Sequence, residues 1–128
     1  MIVLDTATWI WLSSDRDKLS DPARMTIEAH GGGAVSAISA WEVGMLVSKG
    51  RITVDRPVDR WTDAAMRAND LEAVPVDHRI ATLATLLPGE PPRDPADRII
   101  VATALHHGGI VVTPDRRLHD YPFCPTVW

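Results

Sequence analysis

Short runs of aliphatic residues alternate with stretches of helical spacing along the whole of this chain, and that alternation constrains the fold more than any other feature. The runs are "IVL" at 2–4, "AVSAIS" at 34–39, "LEAVPV" at 71–76 and "IVVT" at 110–113, with "PTVW" at 125–128 as a candidate edge strand. They are apolar in succession rather than at every second residue, as expected of strands covered on both faces of a parallel sheet. Helical candidates lie between them: 6–14 with Thr6 or Thr8 as N-cap, 21–30 opened by Ser20 and Pro22, 40–50 ended by Gly50, 58–70, 77–87, and 94–107 closed by Gly108 and Gly109. A short helical turn is expected at 115–121. The alternation predicts an α/β fold: one three-layer α/β/α domain over residues 1–128 with a mainly parallel central sheet.

Sheets of this kind bind ligands beyond the carboxyl ends of their strands, and acids fall there. Asp5 closes the first run, and Asp115 lies two residues beyond the fourth. Glu42 lies near the start of the helix after the second run, and Asp94 and Asp97, in "DPADR", open the helix that leads into the fourth. No lysine or arginine stands out within the cluster. Carboxylates held together raise one another's pKa and oppose folding unless a cation intervenes. An all-oxygen set suits Mg²⁺ or Mn²⁺. Those ions suit phosphodiester hydrolysis, in which a metal-activated water attacks phosphorus and a second metal, about 3.5–4 Å away in two-metal sites, steadies the leaving oxygen. Each acid also has a plainer role open to it. Asp94 before Pro95 is a helix N-cap, Asp97 complements the helix dipole, Asp5 ends a strand, Glu42 is surface charge, and Asp115 is another cap. Only their joint placement points to a site.

The net charge of −4 does not announce a nucleic-acid binder, and it leaves room for a basic patch beside an acidic pocket. No apolar run approaches the ~18 residues of a membrane span, and the N-terminus lacks the basic segment of a signal peptide. Cys124 is the only cysteine, which forbids an internal disulfide and fits a reducing cytoplasm. No histidine spacing suggests zinc with it. Two other phosphoryl-transfer folds fit less well. A haloacid dehalogenase-like phosphatase needs an aspartate where "LDTAT" has Ala7, and a receiver domain needs a lysine that "VVTPD" lacks.

In order and spacing, "IVLDTATWIW", "SAISAWEVGML", "DPADRIIVATAL" and "VVTPDRRL" resemble the PIN domain, and more closely the VapC toxin ribonucleases of bacterial VapBC toxin–antitoxin pairs. The resemblance covers essentially the whole chain. It implies an endoribonuclease dependent on Mg²⁺ or Mn²⁺, acting on tRNA or another structured RNA. It also implies a homodimer and a cognate VapB-type antitoxin that blocks the acidic pocket. By position it implies Asp5, Glu42 and Asp97 as the core metal-binding acids, with Asp115 completing them. Asp94 matches a frequent extra acid, chiefly capping the helix while Asp97 faces the pocket. Thr6, Ser39 and Thr113 place hydroxyls beside the acids, either to orient water or as caps. Arg93, Arg98, Arg116 and Arg117 are the nearest arginines in sequence, as phosphate ligands or as solvated charge. Of five tryptophans, Trp9 and Trp11 are expected to divide between core and surface, Trp61 and Trp128 to pack, and some to fill a dimer or antitoxin groove. A PIN-fold protein that only binds a partner is the alternative, and carboxylates splayed apart would favour it.

Overall fold

The structure is a computed structural model that describes residues 1–128. Its strands are β1 (Ile2–Leu4), β2 (Gly33–Ser36), β3 (Leu71–Val74), β4 (Ile110–Val112) and β5 (Thr126–Val127). They form one sheet in the order β3-β2-β1-β4-β5, and every neighbouring pair is parallel. The helices are α1 (Thr6–Ser14), α2 (Asp21–Ala29), α3 (Ala37–Ser48), α4 (Val58–Ala68), α5 (His78–Thr85), α6 (Pro95–His106) and the single turn α7 (Arg116–His119). No helix is long and apolar enough to cross a membrane.

The period-two geometry of the strands builds the layers. Val3, Ala34 and Val111 point to one face, where Ile80 and Ala84 of α5, Ile100, Val101 and Ala104 of α6, and Leu118 of α7 cover them. Ile2, Leu4, Val35 and Val112 point to the other, against Trp9, Leu12, Ala23, Ile27, Val43, Trp61 and Ala65 of α1 to α4. Each Val, Leu or Ile among them, fully buried, contributes about 1.5–3 kcal/mol. The rings of Trp9 and Trp61 lie 5.2 Å apart in this second core. Trp11 packs on Trp128 at 5.7 Å, whereas Trp41 stands 59% exposed on α3.

Three local expectations are corrected. β2 stops at Ser36 rather than 39, because the Ser36 hydroxyl accepts the Ile38 N–H and starts α3 at Ala37. Neither Thr6 nor Thr8 caps α1; Asp5 does, accepting the Thr6 N–H at 2.8 Å. β3 ends before Pro75, which has no N–H for the ladder. Its Glu72 and Ala73 are exposed, so β3 is a sheet edge and not a strand buried on both faces.

Candidate active site

From β1 the chain builds outward through β2 to β3, then returns to place β4 on the opposite side of β1. The switch between those two directions opens a crevice beyond the carboxyl ends of β1 and β4, the place where open α/β sheets take ligands. Asp5 sits there, 7% exposed, with its backbone N–H donating to Val112 O at 3.0 Å. Its Oδ1 accepts the Thr6 N–H, and its Oδ2 accepts the Thr113 hydroxyl at 2.6 Å. Thr113 Oγ1 in turn accepts the Asp115 N–H at 3.0 Å. On the other flank Thr6 Oγ1 lies 2.8 Å from Ser39 Oγ and donates to Glu42 Oε1 at 2.5 Å. One hydrogen-bonded chain therefore runs from Glu42 through Thr6, Asp5 and Thr113 to Asp115. His119 braces it, with Nε2 2.7 Å from Thr113 O and Nδ1 2.5 Å from Thr126 Oγ1.

α6 delivers the remaining acids. Asp94 caps it, Oδ1 accepting the N–H groups of Ala96 at 2.8 Å and Asp97 at 3.1 Å. Asp97, one turn on, faces the crevice with its side chain 14% exposed. Burial, followed by the charges of Asp5, Asp94, Glu42 and Asp115, pushes its carboxyl up to about 7. Burial also raises Asp5, against the opposing hydrogen bonds of Thr113 and Thr6, and raises Glu42 against that of Thr6. Asp115 goes the other way, held low by Arg117, whose Nε and Nη2 donate to Oδ1 at 3.1 Å and Oδ2 at 2.7 Å.

This arrangement has relatives. A family model described as PIN domain matches residues 2–123. Ribonuclease VapC22 of Mycobacterium tuberculosis is 39% identical over 129 residues, spanning 99% of this chain and 98% of that protein. The chain belongs to the VapC family of PIN domains. Among solved structures, a chain of a toxin–antitoxin complex from Klebsiella pneumoniae superposes with a TM-score of 0.66 at 23% identity, covering 95% of this chain and 93% of that one. A chain of DNA-bound VapBC from Salmonella typhimurium gives 0.69 at 20% identity, with 98% and 95% covered. These two likenesses carry the fold, and it is the parallel α/β/α PIN fold that the sequence predicts.

The arginines of this PIN domain do not lie where their sequence positions suggest. An arginine does stand within the acidic cluster, and it is Arg117. Asp115, as N-cap of α7, accepts the Arg117 backbone N–H at 2.9 Å, which brings that guanidinium back over its own carboxylate. Arg116 is exposed and makes no side-chain hydrogen bond or ion pair. Arg98 turns away from the acids: its Nε donates to Pro92 O at 2.7 Å and Nη1 to Ala84 O at 3.4 Å. It fastens the loop before α6 rather than facing the crevice. Arg117 Nη2 also comes within 3.9 Å of Asp97, but its side chain is 76% exposed. Water screens so exposed a charge, and the burial and four carboxylates around Asp97 outweigh it.

No three of these side chains, as they stand, approach closely enough to share a metal ion. Three of the carboxylates are drawn to donors of their own: Glu42 to Thr6, Asp5 to Thr113, Asp115 to Arg117. The donor set nevertheless fits a hard divalent cation. All the ligand atoms on offer are oxygens, and the raised Asp5, Glu42 and Asp97 are short of positive charge. Nothing else in the chain competes as a reactive group. Cys124 is buried, and burial pushes its thiol up to about 11, out of reach of a thiolate mechanism at neutral pH.

Proposed function

We propose that this PIN domain is an endoribonuclease dependent on Mg²⁺ or Mn²⁺, the toxin of a toxin–antitoxin pair. Asp5, Glu42 and Asp97 hold the cation and Asp115 completes the set. The observation that carries this reading is the set of acids that β1, α3, α6 and α7 bring to the switch point of the sheet around the half-buried Asp97, whose carboxyl burial and those neighbours push up. The relative named Ribonuclease VapC22 supports the activity. The toxin–antitoxin and VapBC complexes among the structural neighbours support a VapB-type antitoxin as partner.

A divalent cation bound here supplies charge at the scissile phosphate and acidifies a water for attack on phosphorus. The chain's own residues set the rest. Thr113 fixes the rotation of the Asp5 carboxylate through Oδ2 while the Thr6 N–H holds Oδ1. Thr6 aims Glu42 through its hydroxyl, and Ser39 backs that hydroxyl. Asp97 carries a proton near neutral pH and gives it up on occupancy of the site, so binding tightens as pH rises. Asp94 stays outside the first ring of ligands, its Oδ1 already accepting two helix N–H groups.

The test is cleavage of total cellular RNA by the wild type with Mg²⁺, by the wild type with EDTA, and by Asp5→Asn with Mg²⁺. Strand scission only in the first sample is expected; equal scission in all three rejects the metal mechanism. A PIN fold that only binds a partner is the second reading, favoured by the separate hydrogen bonds of the carboxylates. No scission in any sample would leave that reading standing.

A further inference from the structure

We infer that the cavity between α7 and the loop before α6 is a phosphate subsite for the RNA strand, with Arg93 and Arg117 as its two cations. The inference rests on the nuclease reading only in taking RNA as the ligand. The cavity measures about 260 Å³ and is lined by Glu90, Pro91, Pro92, Arg93, Asp97 and Arg117. No aromatic side chain lines it, and its only apolar surface is the rings of Pro91 and Pro92. It is small for a drug-sized ligand, and its lining suits a phosphate with part of its sugar.

Two features prepare it. Pro91 and Pro92 stiffen the loop that carries Arg93, and Arg98 fastens that loop through Pro92 O and Ala84 O. Arg93 therefore reaches the cavity from an anchored segment. Arg117 faces it from α7 with its side chain 76% exposed, paired through two hydrogen bonds with Asp115 and at 3.9 Å with Asp97. Its solvent-facing guanidinium is open to an incoming strand, and the fork matches two phosphate oxygens as well as two carboxylate oxygens. Arg117 thus exchanges Asp115 for an incoming phosphate, which frees Asp115 for the acidic centre. Asp97 belongs to both places, so a phosphate seated here abuts the carboxylates directly. Glu90 opposes binding from the same wall, and removing its charge has the opposite sign to removing either arginine.

The experiment is fluorescence anisotropy of a labelled single-stranded RNA oligonucleotide on the full chain across a KCl series. Ca²⁺ replaces Mg²⁺, an oxygen-seeking ion chosen to bind without cutting. Arg93→Ala and Arg117→Ala are each expected to weaken binding about tenfold and to reduce the log–log salt slope by about 0.7. Glu90→Gln tightens binding, and Arg79→Ala, an exposed arginine on α5 outside the cavity, leaves it unchanged. Both arginines are exposed, so their removal spares the fold. Wild-type affinity and slope in Arg117→Ala or Arg93→Ala overturn the subsite, as does an equal loss in Arg79→Ala. Cleavage assayed separately with Mg²⁺ keeps the two readings apart. A cutting enzyme whose binding ignores these arginines overturns the subsite alone, whereas arginine-dependent binding without cutting supports the subsite and sinks the nuclease.

Discussion

Asp97→Asn should stabilise the metal-free protein, and by more at pH 8 than at pH 5. Burial and the neighbouring acids push the native carboxyl up to about 7, from roughly 3.9 for a free aspartate, so between those pH values the folded chain binds a proton that the unfolded chain has lost. Stability therefore falls as pH rises through that window and levels off above it. From pH 5 to about 7 the native Asp97 stays protonated, and two pH units at about 1.4 kcal/mol each amount to roughly 3 kcal/mol. The asparagine variant escapes this loss. Its general costs, such as a changed fit in the first turn of α6, are the same at both pH values and cancel in the difference. Roughly 3 kcal/mol corresponds to a Tm shift of about 10 °C for a chain of this size. The assay is urea unfolding of wild type and variant in EDTA at pH 5 and pH 8. A variant whose advantage at pH 8 equals that at pH 5, within about 0.5 kcal/mol, would refute the claim that Asp97 is held against its charge.

Thr113→Val removes the donor to Asp5 Oδ2 and the acceptor of the Asp115 N–H while keeping the shape of a buried side chain. It should cost about 1–3 kcal/mol. Because the Thr113 hydrogen bond lowers Asp5, its loss moves the acid limb of the pH–rate profile upward; an unmoved limb contradicts the role given to Thr113. Arg98→Ala should cost a similar 1–3 kcal/mol by leaving the carbonyls of Pro92 and Ala84 without their donor. An unchanged urea midpoint would show that the loop before α6 needs no such tie.

The sheet was legible because β1 and β4 are buried on both faces and carry nothing but aliphatic residues. The end of β2 was not, since Ala37, Ile38 and Ser39 suit a strand as well as a helix. Only the Ser36 cap decides between them, and that choice puts Ser39 and Glu42 three apart on one face of α3. "DPADR" carried both of its meanings openly, Asp94 at the cap and Asp97 inward. Arg98 was misleading because consecutive helical residues do not share a face. Next to Asp97 in sequence, it points to the loop instead. Arg116 and Arg117 could not be told apart by proximity to Asp115. The backbone of α7 selects Arg117, because an N-cap carboxylate meets the N–H two residues on. The hydroxyl chain through Thr6 and Thr113 joins residues 36 and 108 positions apart, a pairing only the folded sheet reveals.

Anomalous scattering from crystals grown with manganese tests the central claim most directly. The account predicts a peak enclosed by the carboxylates of Asp5, Glu42 and Asp97, with Asp115 turned toward it. A pocket without a peak, Glu42 still on Thr6 and Arg117 still clasping Asp115, would contradict it.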